Sequence, residues 1–286
     1  MQTASRRRTR PAFTESPLSV VLVTREPWHS DAAVQLDFGS REVTMKLVYY
    51  GPALSGKTTN LVSLHERAGK ESRGRLMTLE TKNDRTLFFD LLPLTFRSEG
   101  GDVKLRIKVF TVPGQPIHTS TRKLVLQGAD GVVLVADSRI SETEHNAASF
   151  LDLRDNLKAN GNDIGRIPLV IQFNKRDLPD VRSDTEIVQM ATRGREPVYT
   201  AVAKDGIGVV ETFLALLQLT WATLDRAHNL SSKLRVEGGS LMTTAARQLG
   251  VTGSIDQVLE MRLGGSLEPL AIGTAGSGAA APRSTP

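Results

Sequence analysis

The run "VTMKLVYYGPALSGKTTNL" constrains the chain more than any other stretch, because an apolar strand there feeds a glycine-bracketed turn and then a helix. Gly51, Gly56, Lys57 and Thr58 satisfy the spacing G-x-x-x-x-G-K-[ST]. Each residue type has a physical reason. The glycines let the backbone wrap an anion so that successive N–H groups point inward, and the following helix aims its positive end at the same place. The Lys57 side chain reaches the β- and γ-phosphates, and the Thr58 hydroxyl suits Mg²⁺. Residues Gly51, Pro52, Ala53, Leu54, Ser55, Gly56, Lys57, Thr58 and Thr59 are therefore the expected phosphate cradle.

A second motif selects the base. "QFNKRDLPD" ends an apolar run and supplies N-K-x-D at Asn174, Lys175 and Asp177. A carboxylate at Asp177 accepts from the paired N–H donors on one edge of guanine, which adenine lacks, so adenine would leave it unpaired. The Lys175 stem can lie along the base, and Asn174 can tie the surrounding loops together. "VAKDGIGV" adds Val202, Ala203 and Lys204, with the Ala203 amide expected to face guanine O6. These segments together point to GTP and GDP and conflict with an ATPase or small-molecule kinase.

The periodicity around both motifs is that of an α/β protein, a P-loop NTPase with a mixed six-stranded sheet and helices on both faces. "VKLRIKVF" alternates, whereas "GVVLVAD" and "IPLVIQFN" are continuously apolar, as strands covered on both faces should be. Helices are expected near 143–160, 184–193 and 208–226. The last carries Val210, Phe213, Leu214, Leu217 and Trp221 as a core-facing stripe.

The domain boundaries expected from this pattern are a nucleotide-binding domain over 34–229, a short helical extension over 230–266 and a Gly/Ala/Ser/Pro tail over 267–286. In the extension Ser254 and Gln257 read as a capping box. Residues 1–33 show no sustained period and read as a disordered arm. The net charge of +5 is spread along the chain, with five arginines against three acids in that arm, so the folded part has no basic footprint for nucleic acid. There is no cysteine, which excludes disulfides and prenyl or palmitoyl anchors, and Gln2 excludes a myristoylation glycine. A cytoplasmic protein without a lipid anchor is the expectation.

Taken with "ETKNDRTLFFDLLPL", "TVPGQ" and "GADGVVLVADS", the chain resembles the MglA family of bacterial Ras-like GTPases over about residues 36–226. The resemblance implies a small GTPase switch of cell polarity or gliding motility, hydrolysing GTP to GDP with Mg²⁺. Its expected partners are downstream effectors and a roadblock-domain activating protein of the MglB type. It also implies that Arg85 is an arginine finger supplied in cis, that Thr86 is the switch I threonine on the metal, that Gln115 orients the attacking water and that Gly114 donates to the γ-phosphate. Loops at about 70–90 and 113–123 would order in the GTP state. Two residues depart from the Ras-like pattern. Thr111 stands where most Ras-like proteins carry Asp, which leaves Mg²⁺ to Thr58, Thr86, phosphates and water. Ala53 stands where the family usually has Gly, which suggests slow hydrolysis through crowding. A scaffold that binds GTP and barely hydrolyses it is the alternative these two departures allow.

Overall fold

The computed structural model describes residues 19–22, 35–80, 89–115 and 118–263. Along the chain the strands are β1 (Ser19–Leu22), β2 (Gln35–Asp37), β3 (Glu42–Tyr50), β4 (Met77–Glu80), β5 (Phe89–Arg97), β6 (Lys104–Thr111), β7 (Gly131–Asp137), β8 (Leu169–Asn174) and β9 (Val198–Thr200). The helices are α1 (Lys57–Arg67), α2 (Thr119–Leu126), α3 (Thr143–Ala159), α4 (Asp184–Arg193), α5 (Val209–His228), α6 (Leu230–Leu234), α7 (Gly238–Gln248) and α8 (Ile255–Glu260).

One nine-stranded sheet runs in the order β1-β4-β5-β6-β3-β7-β8-β9, with β2 pairing the first residues of β3. Strands β6, β3, β7, β8 and β9 are mutually parallel, and β5 is antiparallel to both β4 and β6. Strand order reverses at β3, so the crevice beyond its carboxyl end, where an α/β sheet binds ligands, falls at Gly51.

The two faces of the sheet bury different halves of each strand. Val43, Met45, Leu47 and Tyr49 of β3 and Val103, Leu105, Ile107 and Val109 beside them pack under α1, α5 and α7. Val48, Tyr50, Phe110, Val132 and Leu134 pack under α2 and α3. All five stripe residues of α5 are buried, and Phe213 is fully enclosed. Burying one such side chain stabilises the fold by about 2–3 kcal/mol. The charged alternates of β6 stay at the surface, where Lys104 and Arg106 both pair with Glu42 at 3.2 and 2.6 Å.

Four expectations need correction. The sheet has nine strands rather than six, because short segments pair onto its edges. One is β1, inside the arm read as disordered: it runs parallel to β4, Ser19 opposite Met77, and supplies partners to backbone groups that β4 would otherwise leave unpaired. Part of the loop expected at 70–90 is β4 itself, joined in an antiparallel ladder to β5 with Leu79 opposite Phe89. The loop expected at 113–123 is helical from Thr119. At the far edge β9 is only three residues long, since Ala203–Asp205 turns into a 3-10 helix closed by Gly206 and Gly208 at positive φ.

The extension is built into the same core. Leu230, Leu234, Leu241, Met242, Ala245, Ala246, Leu249 and Leu259 join the cluster formed by β3, β6 and α5. At its start Ser254 Oγ accepts from the Asp256 amide at 3.2 Å, one residue earlier than a capping box with Gln257 requires. The reciprocal box occurs instead at α4, between Ser183 and Glu186.

Candidate nucleotide site

The turn after β3 is shaped by close approaches that only glycine allows. A Cβ on Gly51 would lie 2.2 Å from the Val135 carbonyl oxygen, and one on Gly56 would lie 2.2 Å from Asn174 Nδ2. Both glycines have positive φ, as does Leu54, whose side chain stands in solvent at the tip. A left-handed leucine costs free energy, and such strain collects where a loop must hold one shape.

Lys57 folds back over this loop and is 7% exposed. Its Nζ donates to the carbonyls of Gly51 at 2.9 Å and Pro52 at 2.6 Å. Burial, reinforced by the positive charge of Arg122, pushes the Lys57 ammonium down to about 8. A phosphate beside it would restore the charged form. Nucleotide affinity should therefore fall as pH rises through 8, with about half a proton taken up per GDP bound at pH 8. Calorimetry in buffers of different ionisation enthalpy measures that uptake directly, and zero uptake would contradict the assignment.

Asn174 joins the phosphate loop to the base side. Its Nδ2 donates to the Ser55 carbonyl and its Oδ1 accepts from the Ala203 amide, both at 2.9 Å. The Ala203 amide, expected to face guanine O6, is thus engaged by Asn174, because the short β9 brings the 3-10 turn directly against β8. Lys175, in a left-handed conformation, places Nζ 2.7 Å from Asp137 Oδ2. Burial pushes the Asp137 carboxyl up, but hydrogen bonds from Arg139 and Lys175 outweigh it and hold the group below its usual range. Asp177 is ion-paired with Lys204 at 2.6 Å, and that hydrogen bond keeps it ionised. Ser55 Oγ and Ser138 Oγ, on the phosphate and base sides, are buried and have no partner among the described residues. Orphaned hydroxyls of this kind suit a site built for a polar ligand.

On the metal side the structure supplies a residue that no sequence motif marks. Asp90, the second residue of β5, is 8% exposed and accepts hydroxyl hydrogen bonds from Thr58 at 2.7 Å, Thr111 at 2.9 Å and Thr78 at 2.9 Å. Its own amide donates to Thr111 Oγ1 at 2.9 Å. The antiparallel register, Leu91 opposite Phe110, sets Asp90 beside Thr111. The expectation for Thr111 considered its own strand alone; the structure sets a carboxylate, Asp90, one strand over and hydrogen-bonded to both Thr58 and Thr111. A carboxylate with a ring of hydroxyls is an all-oxygen donor set, which fits Mg²⁺. The only signal in the sequence is an acid inside the apolar run "FFDLLPL".

Behind the switch segment, Gly114 packs on the phosphate loop: a Cβ there would lie 2.3 Å from the Ala53 amide nitrogen. Gln115 is exposed, but its carbonyl accepts from Arg122 at 2.5 Å. Arg122 is buried, and its guanidinium also donates to Asp152 of α3 at 2.7 Å and to the Pro113 carbonyl at 3.4 Å. Tyr50 closes the network with a short hydrogen bond to the same carboxylate of Asp152. A cavity of about 330 Å³ opens between Lys57, Thr58, Asp90 and Gly114. Arg85 and Thr86 lie outside the described residues.

Over 191 residues, 67% of this chain and 97% of the relative, the sequence is 45% identical to the Mutual gliding-motility protein MglA of Myxococcus xanthus (strain DK1622). The chain belongs to the MglA family of small Ras-like GTPases. No family model matches it. As an MglA homologue it binds guanine nucleotide and is a GTPase. A third of the chain lies beyond this match to MglA. No helix among the described residues is long and apolar enough to cross a membrane.

Proposed function

We propose that this chain is a binary switch in bacterial cell polarity or motility, read by its partners through the GTP-dependent arrangement of the segments at about 70–90 and 113–123. The observation that carries this reading is the Asn174 bridge, which joins the phosphate loop at Ser55 to the Ala203–Asp205 turn, at 2.9 Å on each side, from the strand end that leads into Asp177. One side chain thereby makes recognition of guanine and of phosphate a single event. Asp177 and Lys204 frame the base edge, Lys57 and the amides of 51–59 hold the phosphates, and Thr58 with Asp90 is the magnesium side. When bound, Mg²⁺ would neutralise charge on the β- and γ-phosphates.

In the reaction proper, Gln115 is proposed to orient water and Arg85 to stabilise the charge spreading onto the transferred phosphoryl group. Gly114 is the donor whose N–H senses the γ-phosphate. Hydrolysis is expected to be slow without an activating partner, and a roadblock-domain protein of the MglB type is the proposed activator. The test is nucleotide extraction from the purified protein, then phosphate release over time with and without such a partner. Guanine nucleotide in the extract and partner-stimulated release support the reading. Displacement of labelled GDP by ATP as readily as by GTP would sink it.

A further inference from the structure

We propose that the cleft where α5, α7 and α8 meet is a second binding site, for a small ligand bearing a carboxylate or phosphate group. The cleft encloses about 610 Å³ and shares no lining residue with the nucleotide site. That volume suits a metabolite-sized molecule.

Three features converge on it. The first is the start of α7, whose leading amides have no partner within the helix. Glu237 at the N-cap makes no side-chain cap, and the first turn holds no acid. Its leading residues, Gly238 and Gly239, line the cleft and have no side chains to cover those N–H groups. A Cβ on Gly239 would meet nothing within 4 Å, so the turn faces open space. The second feature is Trp221, which is 4% exposed and also lines the cleft, and whose Nε1 has no acceptor among the described residues. That nitrogen lies 2.5 Å from where a Gly238 Cβ would stand, so the indole N–H and the helix end lie side by side. Clustered donors at a helix N-terminus attract an anion. Arg226 adds positive charge to the wall.

The third feature limits the ligand. Gln218, one turn before Trp221, has its Oε1 buried without a donor among the described residues, which calls for an N–H or O–H on the ligand. Asp225 is occupied, accepting from the Ser231 amide at 2.6 Å and its hydroxyl at 2.7 Å. Asp256 leaves one uncommitted acid on the wall, which disfavours a polyanion. Met242 and Ile255 provide apolar contact. The fit is a single acidic group on a small body with a neighbouring donor.

The chain has two tryptophans, so the ¹H–¹⁵N spectrum of the full chain loaded with GDP carries two indole signals, and Trp221→Phe assigns one of them. N-acetylglycine and inorganic phosphate serve as the carboxylate and phosphate probes. The Trp221 signal is expected to move downfield and saturate with a Kd of about 1 mM for one or both, while the Trp28 signal stays fixed. The probe that acts identifies the acid. Gly239→Asp puts a carboxylate into the open space at the helix start, where it stabilises the helix, and should abolish the shift with GDP retention unchanged. A Trp221 signal unmoved by either probe at about 20 mM overturns the proposal. So does a shift that persists in Gly239→Asp.

Discussion

Replacing Asp90 with Asn is expected to accelerate GDP release by about 30-fold in millimolar Mg²⁺, while leaving release in EDTA unchanged. Asn has the same shape, its amide oxygen can still accept from Thr58 and Thr111, and its NH2 can donate to the Thr78 hydroxyl, so the fold and the phosphate loop should persist. What disappears is the negative charge within reach of the Thr58 hydroxyl, and with it the electrostatic hold on a divalent cation. Wild-type release should accelerate in EDTA to the variant's rate. A swap, Asp90→Thr with Thr111→Asp, moves the carboxylate back one strand to the usual Ras-like position. It should restore magnesium-dependent retention in part, because the two residues are cross-strand neighbours and couple. Stopped-flow release of a fluorescent GDP decides the matter. Equal rates for Asp90→Asn and wild type in Mg²⁺ would remove Asp90 from the metal side.

Arg122→Lys is expected to slow single-turnover GTP hydrolysis by about 10–100-fold with GDP affinity within about twofold of wild type. The Arg122 guanidinium spans from the Asp152 carboxylate to the carbonyls of Pro113 and Gln115, which a planar fork of five donors can do. A lysine keeps the charge as a point and cannot bridge both sides. The main chain carrying the proposed water-orienting glutamine would lose its fixed position, which makes Arg122 a proposed positioning residue that acts through that main chain. Breaking a buried ion pair can also destabilise the whole protein. The split between hydrolysis and affinity separates the two cases: a global defect lowers thermal stability and GDP affinity together. Hydrolysis at the wild-type rate would show that the clamp is structural.

Much of this site was legible because its chemistry is local in sequence. Gly51 to Gly56 form one loop that runs into α1 at Lys57, and Lys175 to Asp177 belong to another, each beginning where an apolar strand stops. The alternation of Val103, Leu105, Ile107 and Val109 likewise placed one face of β6 correctly, because a strand's period is fixed by its own geometry. Asp90 was not legible, since its meaning depends on the register between β5 and β6, a non-local property. Arg122 escaped for a related reason: the segment around it reads as loop, and only the packing of α2 on α3 brings it to Asp152. The strands β1, β2 and β4 were missed because three or four residues carry too little pattern. What defines them is the unpaired edge they cover.

At its far end α7 meets the segment that precedes β4. The Gln248 carbonyl accepts from the Gly69 amide at 3.0 Å, and its side chain accepts from Ser72 Oγ at 2.9 Å. Ser72 in turn accepts from the Thr95 amide of β5, the strand that also carries Asp90. A shortened version of this protein, trimmed after α5, would thus lose more than an appendage. It would unfasten the base of the β4–β5 ladder, whose second strand carries Asp90, so rates measured on such a fragment would describe a different machine.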